Sequence, residues 1–137
     1  MSYESNIDER RFFEGKPQAL GLYEAFAERL FALCPDAGIR VQKTQITFTN
    51  PRVFACVSML KVRPAKGRPA EYIVVTFGLG QQVLSPRIDA ATEARPGRWT
   101  HHVLLAVPGE IDGELMAWVQ AAYAFSADKR RAGRGRR

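Results

Sequence analysis

Tyr72-Ile73-Val74-Val75-Thr76-Phe77-Gly78-Leu79 decides the fold of this chain. Ile73, Val75, Phe77 and Leu79 fall on one side of an extended backbone, so the run reads as a strand with at least one buried face. On its N-terminal side the same period recurs: residues 52–63 read as a long strand in which Val53, Ala55, Val57 and Met59 share a face, after a turn at Asn50-Pro51. Before that turn, Ile39 and Val41 alternate with polar neighbours and Ile46 and Phe48 do so again. The phase slips at Gln42-Lys43-Thr44-Gln45, which calls for a bulge or a tight turn. On the C-terminal side, strands near 87–93 and 99–107 flank Arg95-Pro96-Gly97-Arg98, whose Pro-Gly pair suits the centre of a type II turn.

The flanks switch to helical spacing. Leu20, Tyr23, Ala27, Leu30, Phe31 and Cys34 form an apolar stripe over residues 17–34, with Pro17 fit for the first turn and Pro35 as a stop. Leu115, Val119, Ala122 and Tyr123 form a second stripe over 113–127, behind Asp112 as N-cap. A shorter helix is expected over 7–13. Helix, strands joined by short turns, then helix, without βαβ alternation, predicts an α+β, two-layer domain. Its antiparallel sheet has five to six strands, and the N- and C-terminal helices cover one face. The other face is expected to be solvated or open to a partner.

Composition agrees with a globular chain. Of 137 residues, 46% are hydrophobic and 25% charged, which excludes a disordered, collagenous or tandem-repeat protein. Cys34 and Cys56 lie in apolar stretches without metal-type spacing and read as buried thiols. No leader-like run opens the sequence and no apolar run approaches a membrane span, so a cytoplasmic protein without membrane contact is expected. The formal charge of +6 is uneven: residues 38–107 carry +7 and 128–137 carry +5, while 1–37 and 108–127 each carry −3. Residues 1–127 read as one domain and 128–137 as a disordered basic tail.

Several runs carry a family resemblance: Phe12-Phe13-Glu14-Gly15-Lys16-Pro17, Val41-Gln42-Lys43-Thr44-Gln45-Ile46-Thr47-Phe48, Tyr72-Ile73-Val74-Val75-Thr76-Phe77, Ser85-Pro86-Arg87-Ile88-Asp89, Arg98-Trp99-Thr100-His101-His102-Val103 and Ala121-Ala122-Tyr123. Over residues 12–127 the chain resembles the bacterial domain-of-unknown-function family 5655. The resemblance implies a compact α+β domain and brings no activity with it.

Candidate chemistry rests on few groups. His101 and His102 are adjacent on a strand, so they point to opposite faces. The larger apolar companions of His101 turn it toward the helices, leaving His102 exposed and able to charge near its ordinary pKa. Asp89 shares a strand face with Arg87 in this reading and is able to meet a histidine across the hairpin. Ser85, Thr92 and Thr100 lack the setting of an activated nucleophile. No metal-ligand spacing, phosphate loop or nuclease pattern is present, so no metal and no cofactor are expected.

Arginine outnumbers lysine fifteen to five, and the planar guanidinium suits phosphate and carboxylate groups. Lys43, Arg52, Lys61, Arg63, Arg87, Asp89, Arg98 and His102 are therefore the candidate ligand-binding residues, with Phe54, Tyr72 and Trp99 as stacking aromatics. Three readings follow. The first is a noncatalytic module binding an anionic ligand, a small molecule or nucleic acid, on a basic sheet face. The second is a small hydrolase-like enzyme using His101 or His102 with Asp89. The third is a protein-interaction or homodimerisation module with exposed strand edges. Removing residues 128–137 lowers the net charge from +6 to +1. The truncation is expected to leave the melting temperature unchanged and to weaken nonspecific retention on nucleic acid across a salt series, where equal retention would exclude the tail from binding.

Overall fold

A computed structural model describes residues 3–127. The basic tail expected over 128–137 lies outside the described residues. Three α-helices, α1 (Ile7–Phe12), α2 (Pro17–Leu33) and α3 (Gly113–Ser126), accompany six strands: β1 (Gly38–Val41), β2 (Ile46–Thr49), β3 (Val53–Ser58), β4 (Ile73–Leu79), β5 (Ala90–Arg95) and β6 (Arg98–Leu105). The strands form one antiparallel sheet in the order β1-β2-β3-β4-β6-β5. Helix α3 packs on β3 and β4, and α2 packs on α3 and β4. This is the expected α+β architecture. No helix among the described residues is long and apolar enough to cross a membrane.

Alternation builds the core as the pattern requires. Ile46, Phe48, Ala55, Val57, Ile73, Val75, Phe77, Val103 and Leu105 meet Leu22, Phe26, Leu30, Leu115 and Val119 in one cluster between sheet and helices. Cys34 and Cys56 are free and buried. The helix starts follow local chemistry. Pro17 occupies the first turn of α2, and Glu71 Oε1 accepts from the Gln18 and Ala19 N–H groups at 2.9 and 3.2 Å. Asp112 Oδ1 caps α3 by accepting from Leu115 N at 3.0 Å. Asn6 and Glu9 make a reciprocal capping box on α1. The fully buried Glu9 carboxylate also accepts from the hydroxyls of Tyr3 and Tyr23, which ties α1 to α2.

Four expectations are corrected. The strand read over 52–63 stops at Ser58, where the Leu60 N–H turns to Ser58 Oγ and the Val62 N–H to Leu60 O, and at its start β3 carries an extra residue opposite Phe48/Thr49. The bulge sends both Phe54 and Ala55 into the core and leaves Val53 exposed. The strand read from 87 begins at Ala90: residues 86–87 form a turn, so Arg87 and Asp89 do not share a strand face. The outer sheet face is only partly open, since Tyr72, Val74 and Leu104 form a second cluster under Val62 and Ala106. The stacking aromatics are accordingly used up in two of three cases: Phe54 packs edge-on against Tyr123 at 5.1 Å, and buried Tyr72 donates its hydroxyl to Met59 O.

The turns behave as read. Residues 42–45 link β1 to β2 with Gln42 N donating to Gln45 O at 2.8 Å, and Gly97 takes a φ of 74° between β5 and β6. Leu30 and Leu115, both fully buried, come from the two helices that cover the sheet. Replacing either with Ala is expected to cost roughly 2–5 kcal/mol in denaturant unfolding, and unchanged midpoints would exclude the arrangement.

Candidate functional site

The antiparallel register lines up one row of residues across the sheet. Thr47 faces Cys56, Cys56 faces Thr76, Thr76 faces His102, and His102 faces Ala90. These positions alternate with core residues, so the row lies on the side away from α2 and α3. Thr76 Oγ1 sits 2.8 Å from His102 Nδ1, and Cys56 Sγ sits 3.7 Å from Gln45 Oε1. Thr47 donates its hydroxyl to Gln42 Oε1 at 2.6 Å, which anchors the β1–β2 turn over one end of the row. A cavity of about 400 Å³ opens on this floor. Cys56, Ser58, Thr76 and His102 contribute its polar side, Phe12, Met59 and Leu60 an apolar wall, and Lys43, Thr44 and Gln45 the turn above it.

The floor is polar without charge. Burial lowers the pKa of His102, the neighbouring His101 lowers it further, and Asp89 opposes both. Burial pushes the Cys56 thiol up, with Thr76 acting the other way. Near neutral pH the floor therefore presents a thiol, a hydroxyl and an uncharged imidazole. Lys43 is exposed at the rim and has no acidic partner among the described residues. The expectation of an exposed, readily charged His102 is thus corrected to a half-buried, neutral one. His101 does take the core position: it is fully buried, stacks on Phe77 at 5.1 Å and accepts the Val83 N–H at Nε2, 3.0 Å away. Its pKa is also lowered by burial, against the raising influence of the Phe77 and Trp99 backbone.

The structure scatters the remaining candidates. Arg63 Nε meets Asp89 Oδ1 at 2.6 Å, and Asp89 Oδ2 accepts from Leu104 N at 2.8 Å. That carboxylate fastens the 59–72 segment to β6, and these bonds go to neither histidine. Arg87 reaches Asp112 at 2.7 Å, Glu114 at 3.1 Å and the Glu110 carbonyl at 2.6 Å, on the start of α3. Arg52 Nη1 is 3.4 Å from Ser126 O at the far end of that helix. Arg98 opens β6 beside Gly78, and Lys61 lines a neighbouring cavity with Lys16 and Arg68. Lys43 and His102 alone of the eight line the cavity over the row. Arg52 and Arg87 meet the helical layer and so lie apart from Lys43 and His102.

Sequence reading missed Cys56, Thr76, Ser58 and Gln45. The available signal was Thr76, the one polar side chain inside Ile73-Val74-Val75-Thr76-Phe77. A hydroxyl at the centre of an apolar strand calls for a hydrogen-bond partner, and the partner is His102.

Both histidines prefer the neutral ring when folded, whereas unfolded histidine binds a proton near its ordinary 6.5. Their contribution to stability is complete above that value and is lost as pH falls through the lowered folded-state pKa values. NMR titration of the imidazole resonances is expected to place both midpoints below 6.5. A midpoint at or above the ordinary value for either ring would contradict the burial argument.

Comparison with known proteins adds a family and no activity. No curated protein and no solved structure matches the chain. One family, described as "Domain of unknown function (DUF5655)", matches residues 9–126. That span takes in α2, all six strands and α3, together with every residue of the cavity and its row. The chain belongs to this family.

Proposed function

We propose that the chain is a noncatalytic binding module that holds a small anionic molecule on the sheet face turned away from α2 and α3. The observation that carries this reading is the cavity of about 400 Å³ with a neutral polar floor and one unpaired cation, Lys43, at its rim. An apolar wall of Phe12, Met59 and Leu60 suits the body of a ligand, and Thr76 and His102 supply directional hydrogen bonds. Lys43 matches a single negative charge. A small molecule is favoured over nucleic acid because Arg52 and Arg87 are engaged by α3, and Phe54 and Tyr72 are buried.

The hydrolase reading retains one observation, the hydroxyl–imidazole pair of Thr76 and His102. Against it, Thr76 lies in mid-strand with its neighbours paired on both sides, which leaves no free backbone N–H pair for an oxyanion. Asp89, the expected orienting carboxylate, is bonded to Arg63 and Leu104 N instead. The binding module is therefore the better account.

Thermal-shift titration with benzoate and hexanoate tests it. Saturable stabilisation is expected in the wild-type protein, strongly reduced in Lys43→Ala and in His102→Ala, and retained in Arg52→Ala. No shift with either carboxylate, or an equal shift in Lys43→Ala, would overturn the assignment of this cavity.

A further inference from the structure

Beside the first cavity and separated from it by Met59 lies a second of about 440 Å³, lined by Lys16, Lys61, Arg68 and Glu71 with Tyr72 and the 65–70 backbone. Its charge is unusual for so small a space. Lys16 and Lys61 are exposed and lack an acidic partner among the described residues. Arg68 is half-buried and donates Nη1 to the Arg63 carbonyl at 3.1 Å, which holds the guanidinium in place without neutralising it. The single carboxylate, Glu71, is already committed to the first two amides of α2. Three cations thus face one carboxylate, whose Oε1 caps α2.

These cations come from two places in the chain: Lys16 is the N-cap residue of α2, and Lys61 and Arg68 lie in the 59–72 connection between β3 and β4. Folding has brought like charges together, which costs free energy unless an anion is taken up between them. A planar guanidinium fixed by a backbone bond, with two exposed ammonium groups lining the same cavity, matches the oxygens of a phosphate group better than those of a lone carboxylate, since phosphate carries more charge and more acceptors.

We propose that this second cavity binds a compact phosphate-bearing ligand, held by Lys16, Lys61 and Arg68. The inference is independent of the first cavity, whose floor is neutral and whose cation is Lys43. Lys66 lies in the same segment and does not line the cavity, so it supplies a charge-matched control.

Calorimetric titration of the full chain with sodium pyrophosphate at fixed ionic strength tests the proposal. Saturable binding is expected, weakened about tenfold by Lys61→Ala and by Arg68→Ala, and changed less than about twofold by Lys66→Ala. Unfolding midpoints of each variant establish that it remains folded. Absence of saturation up to about 10 mM, or equal weakening by Lys66→Ala, would reduce the effect to general surface charge and overturn the proposal. Tighter binding of a single-stranded oligonucleotide, with the same dependence on Lys61 and Arg68, would overturn the compact ligand in favour of a polymer backbone.

Discussion

Strand register is the constraint on which the rest of this structure depends. Six antiparallel strands must put every second side chain toward α2 and α3, and the apolar residues at those positions fix the pairing. A slip of one residue would expose Val75, Phe77 and Val103 together. The same pairing has a consequence on the other face, where Thr47, Cys56, Thr76 and His102 are carried into line. Core packing thereby determines the geometry of the candidate site.

Arginine and lysine divide their work in this fold. Arginine side chains act as struts: Arg29 reaches the Ile111 carbonyl, Arg87 the start of α3, Arg52 its end, and Arg63 the Asp89 carboxylate. Each joins a loop or strand end to an element distant in sequence, a task suited to a rigid fork of donors. The cavity cations Lys16, Lys43 and Lys61 have no acidic partners among the described residues, and they stand at openings. These arginines therefore brace the fold, and the three lysines carry charge with no acidic partner among the described residues.

Much of the architecture is legible in the sequence because it rests on local periodicity. The stripe from Leu20 to Cys34, the Asp112 cap and the alternation around Val75 each specify an element unaided. What escapes is what depends on counting across strands. The extra residue at Phe54 turns two neighbours inward, which strict alternation forbids. The turn at 86–87 sends Arg87 toward α3 and Asp89 toward Arg63, although spacing two apart puts them on one face of a strand. The site suffers most from this. His102 was visible as one of a pair, but its neutral state depends on burial, and its partner Thr76 comes within 2.8 Å only through the β4–β6 register.

The proposed ligand surface is the sheet face opposite α2 and α3, organised by the Thr76–His102 pair. Backbone and imidazole NMR shifts recorded during titration with benzoate test it most directly, because they report location as well as binding. The account predicts the largest changes at Lys43, Thr76 and His102, with His101 and the residues around Arg52 nearly unmoved. Changes concentrated along α3, or at His101 without His102, would contradict it.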